Sequence, residues 1–303
     1  MIPVRFIDDK IRVICEALAG EMRKKLFDIT EITYAPTGYK SGDDLPSTDG
    51  FLPFDPRLTI GGRDAHYWFS FHIDTPSMNS GHRLFLNLVT GKEGEWDATN
   101  PQGILYLNGK MVQGMDVNHT DAPLEYDSSY DVLLYFYVGM HEDLVAVRPS
   151  VVEVDIEAEA LYYDLKVPLD AAGVLGPRSN DAIQMLKRLE TAEGFLDMRD
   201  PGSEAYYSGI SKAREYLRKE LYEGLSGGSD ALVSCIGHTH IDVAWLWTLA
   251  QTREKAQRSF STVISLMKEY PEYVFMSSCG GMLLAVTSLP VSSSTTDWIS
   301  LYP

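Results

Sequence analysis

Ala231-Leu232-Val233-Ser234-Cys235-Ile236-Gly237-His238-Thr239-His240-Ile241-Asp242-Val243-Ala244-Trp245 is the stretch on which the fold of the C-terminal part turns. ALVSCIG is a short, continuous apolar run, the pattern of a strand buried on both faces of a parallel sheet. A helical pattern follows from about Ala250 to Tyr270, with Phe260, Val263, Ile264 and Met267 on one side and Pro271 just beyond the last turn. EYVFMSS, residues 272–278, then begins a second strand. Strand, long helix and strand make a βαβ unit, and one such unit does not complete a parallel sheet.

His238, His240 and Asp242 leave the first strand at two-residue spacing. In an extended chain residues two apart project to the same side, so the three are expected to converge beyond the carboxyl end of the strand, where sites sit in parallel α/β folds. Neutral imidazole and carboxylate both suit zinc, and a catalytic zinc takes three or four protein groups with a position left for substrate. The pentapeptide therefore supplies part of a site. An H-x-H-x-D pattern alone is weakly specific, and packed or surface histidines are the competing reading. Trp245 follows Asp242 by three residues and offers a face of the kind that stacks on a sugar ring.

Upstream, Gly224–Ser229 (GLSGGS) reads as a flexible break and the best domain boundary in the chain. Before it the pattern is helical from Pro168 onward, with Asn180 capping a helix through Ile183, Leu186 and Leu189, and Ser203 capping another through Ile210, Leu217 and Leu221. Earlier still the period is two. HYWFSFHI, RLFLNLV, GILYLNGKMVQG, YDVLLYFYV, VVEVDIEAE and ALYYDLKVP read as strands, with Asn108-Gly109 as a tight hairpin turn. Such strands between turn signals predict an antiparallel β-sandwich. Residues 34–62 are crowded with Pro, Gly, Asp and Ser and read as loop, and residues 8–27 carry Ile11, Ile14, Leu18, Met22 and Leu26 on one helical face. The expected fold class is multi-domain α+β: an N-terminal helix over 1–35, an antiparallel β-sandwich over 36–170, a helical connector over 171–228, and the start of an incomplete (β/α) barrel over 229–278.

Residues 279–303 stand apart. They hold only Asp297 as a charge, against 23% charged residues overall, and have neither helical nor strand period. The native reading frame, or the native gene, is expected to be lost near Ser278.

Apolar residues at 45% indicate an ordinary globular protein, and no window reaches the ~18 uncharged apolar residues of a spanning helix. A net charge of −17 with no basic patch opposes nucleic-acid binding. Cys15, Cys235 and Cys279 are too scattered for a disulfide framework. The N-terminus has no secretory signal pattern, which leads to a cytoplasmic expectation with no membrane partner; a homo-oligomer is compatible with these features. His66, His72, His82, His119 and His141 lack metal-ligand spacing, and Asn118-His119-Thr120 is a glycosylation sequon that a cytoplasmic chain would not use. Trp68, Trp96 and Tyr106 could form a sugar platform on the sandwich, although core packing explains them more simply.

GHTHIDVAWLWTLAQTREKAQRSFSTVISLMKEYPEYVFMSS, residues 237–278, resembles the opening strand and helix of the catalytic domain of glycoside hydrolase family 38 α-mannosidases of the bacterial and cytosolic type. YWFSFHIDTP and ILYLNGKMVQG are similar to the β-sandwich that precedes that domain. The resemblance implies a zinc-dependent, retaining exo-α-mannosidase acting on terminal mannose of oligosaccharides. It implies His240 and Asp242 as two of the zinc ligands, with a later Asp, also the nucleophile, and a later His as the others. It implies Trp245 as the aromatic stacking on the sugar, and His238 as a residue that orients the site without binding metal. Paired carboxyls about 5 Å apart would run the two-step reaction. In this sequence neither the nucleophile nor the acid/base can be placed, and Asp230–Pro303 is too short for a barrel of about 200 residues or more, so an inactive fragment is expected. The alternative is a carbohydrate-binding or assembly module that uses the sandwich.

Overall fold

A computed structural model describes residues 4–40, 44–96, 100–224, 233–245 and 247–278. In chain order the elements are α1 (Val4–Glu21), β1 (Arg23–Asp28), β2 (Ile32–Thr37), β3 (Leu52–Phe54), β4 (Thr59–Gly61), β5 (His66–Asp74), β6 (His82–Val89), β7 (Gln102–Leu107), β8 (Lys110–Asp116), β9 (Asp121–Leu124), β10 (Ser129–Tyr137), β11 (Leu144–Ala146) and β12 (Arg148–Asp155). They continue with α2 (Ile156–Leu175), α3 (Asn180–Glu193), α4 (Glu204–Leu217), a π-helical turn (Arg218–Glu223), β13 (Gly237–Thr239), α5 (Leu249–Glu269) and β14 (Phe275–Ser277). The fold is mixed α/β with antiparallel sheets and five α-helices among the described residues.

The chain divides into two compact units, each built from separated stretches: Met1–Leu26, Met78–Phe85 and Val152–Leu232 form one, and Phe27–Ser77, Leu86–Val151 and Val233–Pro303 the other. The first is helical. Ile7, Ile11, Cys15 and Leu18 of α1 recur every three or four residues, so they share one face, and that face packs with Leu161, Leu165 and Leu169 of α2, Leu186 and Leu189 of α3, and Ile210 and Leu217 of α4. Residues from the expected N-terminal helix (1–35) and from the expected connector (171–228) thus share one core within this unit. The N-terminal helix ends earlier than its period suggests. Met22 gives its carbonyl to the Asp155 amide at 2.8 Å, and β1 pairs with β12, so strand pairing takes over where Leu26 would have continued the helical face.

A second correction concerns ALYYDLKVP, which is helix rather than strand. The Asp155 side chain accepts the amides of Glu157 and Ala158 and caps α2, whose buried face is Ala158, Leu161, Leu165, Leu169 and Ala172. Pro168 lies inside this helix and has no N–H for the carbonyl of Asp164; that carbonyl instead accepts the Tyr222 hydroxyl at 3.1 Å. The sandwich expected to run to residue 170 therefore has its last strand end at Asp155. Ser203 caps α4 as expected, whereas α3 is capped by Ser179, one residue before Asn180. Part of the expected 34–62 loop is strand, in β2, β3 and β4. Apart from Gly224, the expected break at Gly224–Ser229 lies outside the described residues, as do 279–303.

In the other unit six strands form a sheet in the order β3-β2-β5-β10-β7-β8, antiparallel throughout. Asn108 and Gly109 take φ of 49° and 76°, the two positive values a two-residue hairpin turn between β7 and β8 demands. Register puts Phe69, Leu105 and Leu134 side by side on one face, and Trp68, Ile104 and Tyr135 on the other. All six are buried. On the second face Leu45 and Phe51 pack against Trp68, Ile104 and Tyr135, and α5 passes over β8 where Gly114 leaves room: a Cβ there would come within 2.8 Å of the Arg258 Cβ.

The βαβ reading holds at the level of pairing. β13 and β14 are parallel, with Gly237 opposite Phe275, His238 opposite Met276 and Thr239 opposite Ser277, and α5 connects them. Ala231 and Leu232 of the strand expected over ALVSCIG lie outside the described residues, and from Val233 onward the expected burial on both faces does not hold. Val233 and Ile236 are 79% and 52% exposed, and the strand is confined to Gly237–Thr239. With one neighbouring strand in its sheet, β13 has nothing to cover those side chains among the described residues.

Candidate metal centre

β13 delivers the motif. Gly237 donates its amide to the Val274 carbonyl at 2.8 Å, and the Tyr273 side chain fills the space beside it, its hydroxyl 2.1 Å from where a Cβ would lie. His240 emerges at the carboxyl end of the strand. Its Nδ1 lies 2.9 Å from Ser278 Oγ, just past β14, and its Nε2 lies 3.2 Å from Asp242 Oδ1. Both side chains are about half exposed, so an incoming ion could reach their facing atoms. The chain thus brings together the two ligand types at the expected position. Two donors fall short of the three or four a catalytic zinc takes, and among the described residues no group of three or more His, Cys, Asp or Glu converges. His238 stands exposed on β13 outside this pair, so of the three residues expected to converge the structure brings together His240 and Asp242.

Trp245 is 54% exposed beside this pair in sequence, its ring edge-on to Trp247 with centroids 5.4 Å apart. Behind them α5 begins with a capping box: Thr248 accepts the Gln251 amide, and the Gln251 side chain accepts the Thr248 amide. The helix then buries a stripe that its apolar pattern did not show. Gln251, Glu254 and Arg258 face the sheet along with Val263, whereas Ile264, expected to be covered, is exposed. Tyr135 donates its hydroxyl to Glu254 Oε1 at 2.5 Å and lies 2.7 Å from His66 Nδ1, which leaves the imidazole as donor to the hydroxyl oxygen. The Lys40 amide donates to the same Oε1 at 3.2 Å. Arg258 and Lys255 both donate to Gln102 Oε1 on β7. Burial pulls Arg258 down to about 10 and Lys255 down to about 7. It lowers His66 and raises Glu254. A polar residue every three or four positions was the available signal, but on an acidic chain that pattern reads as a solvated face.

The sugar platform does not form. Trp68 and Tyr106 are buried in a cluster with Ile104 and Tyr135, and only Trp96, at 67% exposure, faces solvent. His72 is held by Asp131 and Asp74, and His119 by Asp116, so each has a local partner. Cys15 is buried, and burial pushes its thiol up to about 11; Cys235 is exposed and free. No described helix is long and apolar enough to cross a membrane.

Residues 230–283 match the family described as "Glycosyl hydrolases family 38 N-terminal domain". The match continues past Ser278, where the sequence reading placed the end of the resemblance. "Alpha-mannosidase G" of Dictyostelium discoideum is 43% identical over 245 residues, covering 73% of this chain and 21% of that protein. "Alpha-mannosidase 2C1" of Homo sapiens is 30% identical over 235 residues, covering 70% and 21%, and "Alpha-mannosidase" of Saccharomyces cerevisiae is 33% identical over 141, covering 43% and 12%. Among solved structures, a Faecalibacterium prausnitzii β-glucuronidase covers 45% of this chain and is covered over 32% of its own, at a TM-score of 0.31 and 12% identity, a likeness too slight to carry the fold. The chain spans between about a tenth and a fifth of the length of these α-mannosidases, and what it resembles is the N-terminal part of glycoside hydrolase family 38.

Proposed function

We propose that this chain supplies the opening strand and helix of a zinc-dependent, retaining exo-α-mannosidase that releases terminal mannose from oligosaccharides. His240 and Asp242 are then two of four zinc ligands and Trp245 the stacking surface. The observation that carries the reading is the 3.2 Å approach of His240 Nε2 to Asp242 Oδ1 at the carboxyl end of a parallel strand, inside the segment that matches the family. A bound zinc would offer a positive centre to sugar hydroxyls. Asp242 would offset its charge, and His240, oriented through Nδ1 by Ser278, would present Nε2. In this reading the βαβ unit opens a (β/α) barrel, the sheets before it are a β-sandwich, and the nucleophile, the acid/base and the other two ligands come from outside the described residues.

The test is made in an enzyme that joins this segment to the later ligands and carboxylates. Asp242→Asn keeps the size of the side chain but removes the charge that offsets the metal, so zinc and hydrolysis of an aryl α-mannoside should be lost together. Trp245→Ala should keep its zinc and lose about 1–3 kcal/mol of transition-state binding in kcat/KM. An Asp242→Asn enzyme with full zinc and full rate would refute the assignment.

A further inference from the structure

The turn that follows the metal strand is pinned more firmly than an exposed loop requires. Ala244 adopts φ 57°, a region costly for a residue with a Cβ, and such a conformation persists where its surroundings over-determine it. Two side chains at the start of α5 do so. Thr252 Oγ1 accepts the Ala244 amide at 3.1 Å while donating to the Thr248 carbonyl at 3.0 Å. Trp247 Nε1–H donates to the backbone carbonyl of Asp242 at 3.1 Å. The same indole meets the Trp245 ring edge-on, at an interplanar angle of 89°. Its face carries the Lys255 Nζ 4.2 Å from the ring centroid, an amine that burial brings down to about 7 and that is a cation on the ring below that pH, and Lys255 in turn donates to Gln102 Oε1 at 3.1 Å. The ring packs against the cluster of buried Ile241 and Ala256. An indole that served packing alone would need neither an N–H aimed at the ligand's own backbone nor a cation on its face.

We propose that Trp247, backed by Lys255, is a positioning residue for this site. Its N–H fixes the backbone of Asp242 so that the carboxylate stays beside His240, and its edge sets the ring of Trp245. Trp247 itself contacts neither metal nor sugar. The inference rests on the metal reading above and adds the residues that hold its geometry. Gln102 lies on β7, so the link also runs from the sheet to the metal strand.

The experiment is zinc titration of the whole chain, in competition with a chromophoric chelator, on the wild type, Trp247→Phe, Lys255→Met, Lys255→Arg and His240→Ala, with thermal midpoints recorded for each. Trp247→Phe keeps a ring and removes the N–H, so zinc affinity should fall about 3- to 10-fold, the range of one neutral hydrogen bond. Lys255→Met should weaken zinc about 2- to 5-fold with little change in midpoint, and Lys255→Arg, which keeps a cation over the ring, should restore it. That rescue is not expected of a residue that only fills space. Folded Trp247→Phe and Lys255→Met proteins that both bind zinc like the wild type would overturn the inference, as would an Arg variant no better than Met. If Trp247→Phe does not fold, the Lys255 pair decides. A wild type that binds zinc no better than His240→Ala overturns the metal reading, and this inference with it.

Discussion

Glu254 is a carboxylate on a helix whose neighbours in sequence are Arg253 and Lys255, yet only 3% of its surface is exposed. Its Oε1 accepts from Tyr135 and from the Lys40 amide, and its Oε2 has no hydrogen-bond partner. Burial pushes the carboxyl above its ordinary 4.5, against the downward pull of Tyr135, the Lys40 amide and the charges of Arg258 and Lys40. The other groups facing this cluster are His66, Tyr39 and Asp64. A carboxyl whose folded value is raised keeps its proton where the unfolded chain has released it. Its contribution to stability is therefore full below 4.5 and is lost as pH rises through the raised value. Glu254→Gln cannot ionise, so urea stability of the wild type relative to this variant should fall with pH across that interval; parallel curves would contradict the burial argument. At this scale the sequence was readable where spacing decides proximity: His240 and Asp242 stand two residues apart, and their side chains meet at 3.2 Å. Glu254 and Arg258 were not readable, because nothing local distinguishes a polar residue facing water from one facing Gln102 of a distant strand.

α5 shows the same division at the scale of elements. Its existence and its limits were legible from the spacing of Phe260, Val263, Ile264 and Met267 and from Pro271 beyond the last turn, and the helix runs Leu249–Glu269 against an expected 250–270, with a Thr248–Gln251 capping box at its start. Its buried face was not, because the contact with the sheet is polar and close rather than apolar. Gly114 is the residue that permits the approach: its amide donates to Thr262 Oγ1 at 3.0 Å, and the place of a Cβ is taken by the backbone and stem of Arg258. Gly114→Ala should therefore push α5 away and cost about 1–3 kcal/mol, measured by chemical denaturation. An alanine variant as stable as the wild type, with unchanged protection of the α5 amides from hydrogen exchange, would show that the helix does not rest on β8. α2 was misread for a related reason. Tyr162, Tyr163 and Val167 favour strands, and Pro168 argues against a helix interior, but the Asp155 cap and the Tyr222 hydroxyl on the Asp164 carbonyl satisfy what the local sequence leaves open.

At the scale of the whole chain, strand and helix patterns led to a mixed α/β fold, whereas periodicity is local and says nothing of which separated stretches pack together. Both units are assembled from three separated stretches, and the segment that carries His240 and Asp242 belongs with the six-stranded sheet rather than standing as a domain of its own. Long-range pairing of this kind, β1 with β12 or α5 on β8, leaves no mark in periodicity. If His240 and Asp242 are two ligands of a larger zinc site, the zinc retained by the purified chain is set by that half site. Equilibrium dialysis against zinc, then against a chelator, with metal content measured for the wild type, His238→Ala, His240→Ala and Asp242→Asn, separates the possibilities. The account predicts weak, substoichiometric zinc that the chelator removes, diminished by the changes at His240 and Asp242 and unaffected by the change at His238. One zinc per chain that survives the chelator, or equal binding by all four proteins, would contradict it.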